Sequence, residues 1–265
     1  MANNDSPYIL EETDDFAVVF KPPKMHSVPN KQNNGDTLLG WYAALYPHAG
    51  EGGLIHRLDF ETHGIVLFAK NKKSFDFLNS LQNRGEFIKE YSAVCVIADN
   101  PAPISGFPIS PVLPDSSPSP DKPLVIESFF RPFGPGRKQV RPVIDDSKKH
   151  KEIAKDRGSF YRTEIIGISD NVFTVRIRRG FRHQIRCHLC WAGFPIQNDP
   201  LYLCPKGEGP ETDEPLPAWG ILALCAQALY FDDPSGGGKR ECRISPIENR
   251  YKKIPLVFNN GRVYC

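Results

Sequence analysis

With 265 residues, 40% of them apolar and 24% charged, the chain has the composition of an ordinary soluble globular protein and ample length for a core. No apolar run approaches the roughly 18 residues that span a bilayer, and the opening MANNDSPYILEE lacks the charged and apolar regions of a secretory signal, so a cytoplasmic protein is expected. A formal charge of +2 is too mild to identify a nucleic-acid binder, which leaves local clusters of charge as the informative quantity.

In chain order, residues 16–20 read as a strand running into Lys21-Pro22-Pro23, where successive prolines end pairing and force a loop. A helix is predicted at 37–46. The run Ile65-Val66-Leu67-Phe68-Ala69 is short, continuous and β-prone, which predicts a strand buried on both faces. Ser74 is placed to cap a helix whose Phe75, Leu78 and Leu81 share one face and which ends near Asn83 to Gly85. Residues 87–97 alternate as a strand carrying Tyr91. Eight prolines between 99 and 123 are incompatible with a long helix or a central strand and predict a rigid, exposed excursion. Residues 173–178 alternate as a half-buried strand, Gly180 turns the chain, and Ile185, Leu189 and Ala192 then recur at helical spacing. Pro205, Pro210, Pro215 and Pro217 mark a second loop at 204–217, and Gly236 to Gly238 a third turn. Strands mixed with a few helices indicate an α+β protein, read as a single catalytic domain over 1–265.

Two segments concentrate the chemistry. HRLDFETHG, from His56 to Gly64, sets Asp59 two residues after Arg57 and just before the buried strand, so that its carboxylate projects from a rigid edge. An aspartate beside an arginine in a loop is most often a turn residue or a surface ion pair, so this segment alone decides little. Further on, Arg176, Arg178, Arg179, Arg182 and Arg186 form a cationic cluster with no acid in the same span, and arginine suits bidentate contact with phosphate or carboxylate. A second gathering, Arg131, Arg137, Lys138 and Arg141, precedes a lysine run at Lys148, Lys149 and Lys151 that reads as a solvated face.

Together with KEYSAVCV at 89–96, these segments resemble the three motifs of the RNA pseudouridine synthases of the RluA family: HRLD, two residues, TSG; then K-x-Y-x-A-x-V; then GR-x-HQIR-x-H. The likeness extends to ILEETDDFAVVFKPPKMHSVP, similar to the family's opening strand and lysine-proline turn, and to GFPIQNDPLYL at 193–203. It implies the family's fold, a central, bent, largely antiparallel sheet with flanking helices and loops. By the same resemblance Asp59 is the essential aspartate, Tyr91 the active-site tyrosine, Arg186 the basic partner of that aspartate, and Arg57 the arginine that enters the RNA stack when uridine flips out. His56, Arg178, Arg179, Arg182 and His183 complete the expected RNA-binding set. Departures at His63, Phe181 and Asn198, where the family has serine, arginine and glycine, leave the chemistry in place and bear on RNA contacts. No small S4-type RNA-binding domain is expected ahead of the catalytic domain.

The implied reaction isomerises uridine in ribosomal or transfer RNA, gains and loses no atom, and needs no cofactor. A monomer acting on RNA, away from membranes, is expected. Its alternative is a catalytically silent RNA-binding protein of the same fold, motivated by the three departures. A metal-dependent hydrolase is more distant: Cys187 and Cys190, with His183 on the same helical face, have a spacing that can begin a zinc site, but no second cysteine pair matches them. Their place in a packed helix, and an odd total of seven cysteines, favour buried, reduced thiols and no metal.

Overall fold

The computed structural model describes residues 6–30, 36–46, 53–96, 106–114, 116–144, 160–202 and 220–244. The strands among them are, in chain order, β1 (Tyr8–Glu12), β2 (Phe16–Lys21), β3 (His63–Ala69), β4 (Ile88–Val94), β5 (Leu124–Phe133), β6 (Gln139–Val143), β7 (Tyr161–Ser169), β8 (Val172–Ile177), β9 (Leu224–Asp232) and β10 (Lys239–Arg243). The helices are α1 (Leu38–Leu45), α2 (Lys72–Arg84) and α3 (Gln184–Trp191), which gives the expected α+β class. The chain divides into two compact units, Met1–Ser92 with Leu224–Lys252, and Ala93–Ala223 with Lys253–Cys265.

In the first unit β2 lies between β1 and β3, antiparallel to both. All residues of β2 and β3 are buried, as the unbroken apolar run of β3 requires of a strand covered on both faces. Their Phe16, Val18, Phe20, Ile65 and Leu67 form one core with Leu78 and Leu81 of α2, Phe87, and Leu229 and Phe231 of β9. α1 begins where the pattern places it, with Thr37 accepting a capping bond from the Gly40 amide at 3.1 Å. α2 starts earlier than its pattern suggests. Asn71, not Ser74, is its cap: the Asn71 side chain accepts from the Ser74 amide at 2.9 Å, while the Ser74 hydroxyl donates to Asp15 at 2.6 Å. Gly85 closes the helix in the left-handed conformation.

The contact of β3 with β9 departs from the antiparallel pattern. His63 and Gly64 of β3 run parallel to Cys225 and Ala226 of β9. Gly64 sits at φ +122°, and a Cβ built on it would lie 2.3 Å from the Ala226 carbonyl oxygen. Only glycine admits both that conformation and that approach. Elsewhere on β9, β10 adds as a hairpin across the turn containing Gly236 and Gly238.

In the second unit β5 divides its length between two antiparallel partners, Leu124 to Ser128 with β7 and Phe129 to Phe133 with β6. β7 continues to β8 with a shift of register at Ile165 to Gly167. Phe130, Val140, Tyr161 and Tyr202 pack with Cys187 and Cys190 of α3. From 106 to 123 the described residues form no helix or strand, and Ile109 and Val112 are 91% and 95% exposed, in keeping with an exposed excursion. The expected loop at 204–217 and the lysines at 148–151 lie outside the described residues. Among the described residues no helix is long and apolar enough to cross a membrane.

Gly64→Ala should therefore lower the unfolding free energy by more than about 2 kcal/mol, since strain and backbone overlap act together. Urea titration of wild type and variant measures the difference.

Candidate active site

Asp59 stands on a loop whose backbone is fixed from several sides. The Ser27 hydroxyl donates to the Leu58 carbonyl at 2.8 Å and accepts from the Leu58 amide at 3.1 Å. The Thr62 amide donates to the Asp59 carbonyl at 3.2 Å, closing a tight turn over residues 59–62. His56 faces inward: it is 7% exposed, and its Nε2 accepts from the Leu67 amide at 3.3 Å, holding the loop to β3. Burial, and the charge of Lys89, push its basicity far down, so it stays neutral. That position suits a strut of the loop more than a contact with RNA.

Lys21 is the residue that the sequence pattern does not expose. It ends a strand of apolar side chains and is 0% exposed. Its Nζ donates to the carbonyls of Pro22 and Met25, each at 2.8 Å, and of Phe60 at 3.4 Å. The ammonium thus joins the proline turn to the residue that follows Asp59. Burial pushes its pKa down to about 7, against the upward pull of the Asp59 and Glu61 carboxylates. A lysine closing an apolar strand is the one signal that could have marked it.

Tyr91, on β4, is 5% exposed. Burial first, then the negative charge of Asp59, hold its phenol well above the usual range, so the ring carries its proton at neutral pH. Asp59 therefore acts electrostatically on both Tyr91 and Lys21. Arg57 is exposed at the edge of the same loop. His63 is buried at 1% and kept neutral by burial and the nearby Lys21 charge, its pKa pushed down to about 3. It fills the start of β3 and presents no cation to a ligand.

The second unit holds the arginine cluster. Arg178, Arg179 and Arg182 are exposed, whereas Arg186 is 2% exposed. Arg186 donates from Nε and Nη2 to the two carboxylate oxygens of Asp199, both at 2.7 Å. Asp199 also accepts from the amides of Leu201 and Tyr202, so the pair is bidentate and closely bonded, as a buried ion pair must be. Arg182 donates to the carbonyls of Arg137 and Gln139 at 2.6 and 3.3 Å, tying the basic turn before β6 to the start of α3. His183 takes a left-handed φ of 57° and bonds through Nδ1 to the Tyr202 hydroxyl at 3.1 Å.

The other departures from the motif pattern also have local reasons. Asn198 adopts φ +61°, a conformation asparagine tolerates better than most residues, so it meets the demand that glycine meets elsewhere. Phe181 stacks on Phe130 with ring centroids 5.0 Å apart. Cys187 and Cys190 are buried, their thiols directed at the carbonyls of Val140 and Tyr202.

Known proteins resemble this chain in sequence and in fold. The family model described as RNA pseudouridylate synthase matches residues 15–191, across both units. An uncharacterized protein of Caenorhabditis elegans is 33% identical over 200 residues, covering 73% of this chain and 38% of that protein. The ribosomal large subunit pseudouridine synthase D of Haemophilus ducreyi is 26% identical over 241 residues, covering 88% of this chain and 65% of its own length. The chain thus spans less than two thirds of these relatives. Among solved structures, human RNA pseudouridylate synthase domain containing 1 superposes with a TM-score of 0.57 at 19% identity, covering 92% of this chain and 85% of that one. This last likeness concerns the fold.

A lysine buried with its pKa near 7 carries a pH signature. Between about 7 and the ordinary 10.5 the unfolded chain holds a proton there that the folded chain has released, so this group's contribution to stability rises with pH across that window and is smallest below 7. Lys21→Met lacks the titration. The unfolding free energy of wild type minus that of the variant should grow by on the order of 2 kcal/mol across the window, as read from urea melts at stepped pH.

Proposed function

Because the chain belongs to the RNA pseudouridylate synthase family, we propose that it converts a specific uridine of RNA to pseudouridine, with the nucleotide extruded from its stack and Asp59 acting at the sugar. The observation that carries this reading is the Asp59 loop itself: a carboxylate on a backbone locked by Ser27, Lys21 and Thr62, with a buried tyrosine in its field. Such rigidity is what a reacting group needs, since an orientation already fixed costs nothing at the moment of reaction.

Chemically, the N1–C1′ bond breaks, uracil rotates within the site, and C5 bonds to C1′. The proton lost from C5 is balanced by one gained at N1. Asp59 opens this sequence either by attack on C1′ or by removing a sugar proton to leave a glycal-like intermediate. Tyr91, held protonated, is suited to stacking against the uracil more than to serving as the base at C5. Bonds are redistributed within one nucleotide, so the reaction calls for no cofactor. Arg186, the remaining member of the expected catalytic set, has one edge of its guanidinium committed to Asp199.

Extrusion costs a few kcal/mol per unstacked step, and Arg57, exposed on the Asp59 loop, suits the vacated gap. Arg178, Arg179 and Arg182 supply positive charge for the phosphate backbone. Ribosomal RNA is the favoured substrate over transfer RNA, supported by the names of the large-subunit relatives. A silent RNA-binding protein is disfavoured by the retention of Asp59 on so constrained a loop.

Asp59→Asn keeps the side chain's size while removing its charge. It should fold, bind RNA within about threefold of wild type, and form no pseudouridine in a chemical-labelling assay that detects the wild-type product. Near-normal conversion by this variant would end the assignment. Comparing pseudouridine maps of total RNA from cells with and without the gene identifies the uridine.

Replacing Arg178 and Arg179 by alanine should weaken RNA binding and reduce the slope of log affinity against log salt by about 1 to 2, because each phosphate left without its arginine keeps its condensed counterion. Fluorescence anisotropy at stepped salt measures it.

A further inference from the structure

Immediately after Asp59 comes a side chain that the reaction described above does not use. Phe60 is 39% exposed and occupies a corner of the 59–62 turn. Its ring lies against that of His26, centroids 4.5 Å apart and planes inclined by 38°. Both rings are firmly mounted. The Phe60 carbonyl accepts from buried Lys21, and the His26 carbonyl accepts from the Leu38 amide at 2.9 Å.

A single exposed phenylalanine needs no explanation. Two aromatic rings in contact, Phe60 on the 59–62 turn and His26 on the loop after β2, beside a reacting carboxylate are different, especially with exposed cations at Lys24 and Arg57 in the same two loops. Flat π-surfaces interleaved with cations are how proteins hold unpaired nucleotides, the rings taking bases and the cations taking the backbone. When one nucleotide is extruded, its neighbour loses a stacking partner and exposes a face.

We propose that Phe60, backed by His26, stacks on the base adjacent to the extruded uridine and so helps select the sequence around the target. The proposal rests on the reading that Asp59 acts on a flipped uridine. Phe60 is here a binding residue, and its contribution is apolar stacking, independent of phosphate charge.

The test is steady-state pseudouridine formation on a transcript spanning the uridine mapped in wild-type cells. Phe60→Ala should raise KM about five- to one-hundredfold with kcat held within about twofold, the range that loss of one base–aromatic stack produces. That factor should be the same at low and high salt, unlike the effect of substituting Arg178 and Arg179, because no counterion is released. Phe60→Tyr should restore KM and Phe60→Leu should not. Thermal melts of each variant establish that it folds. Wild-type KM in Phe60→Ala, or equal rescue by leucine and tyrosine, would overturn the stacking role while leaving Asp59 untouched. Absence of pseudouridine formation by the wild type itself would overturn the Asp59 reading and the stack together.

Discussion

The first unit is organised around the ammonium of Lys21. An uncompensated buried charge is among the costliest things a fold can contain, and this one is tolerated because three carbonyls receive its protons. Those carbonyls belong to two loops that the chain order keeps apart, one after β2 and the other before β3. The need to satisfy one amine therefore fixes two segments at once. Ser27 repeats the device with a neutral hydroxyl, bonding both the amide and the carbonyl of Leu58. Asp59 inherits its position from these bonds, and with it the electrostatic field that reaches Tyr91.

The parallel contact of β3 with β9 imposes a second constraint. Gly64 lets the backbones meet where any other residue would hold them apart. Since His63 and Gly64 close the same segment that begins at His56, the loop is pinned at one end by sheet pairing and at its middle by Lys21 and Ser27. The lock and the proposed chemistry lie in one stretch of nine residues, His56 to Gly64. This explains why the segment is so recognisable as a unit.

Much of this was legible in the amino-acid order. β3 announced itself by its unbroken apolar run, α1 by its position, and the end of α2 by Gly85. The cap of α2 was misplaced because Ser74 and Asn71 are both good caps, and only the tertiary bond from Ser74 to Asp15 decides between them. Other features lie beyond pattern. Nothing in FAVVFK says that its lysine points inward, and strand alternation places Lys89 and Glu90 on opposite faces without showing that both are 3% exposed. Glu90 is buried because Gln227, Tyr230 and Arg243, more than 130 positions away in the chain, bond to it. The parallel pairing to β9 is likewise a long-range fact. For the three departures from the motif, the sequence showed that something differed, and the structure supplies reasons of backbone conformation and packing.

The Arg186 and Asp199 pair bears on how such a chain changes over generations. Removing either member alone strands a charge where water cannot reach it, a loss of about 3–5 kcal/mol that takes a large share of a domain's stability. A lineage that abandoned catalysis would still meet that cost at each single replacement, so finding Arg186 in a relative attests to folding and is silent about activity. Asp59 is different: it is partly exposed, on a loop whose backbone is held by Ser27, Lys21 and Thr62. Under the role proposed for Asp59, that position is where decay of function would be written first among related chains.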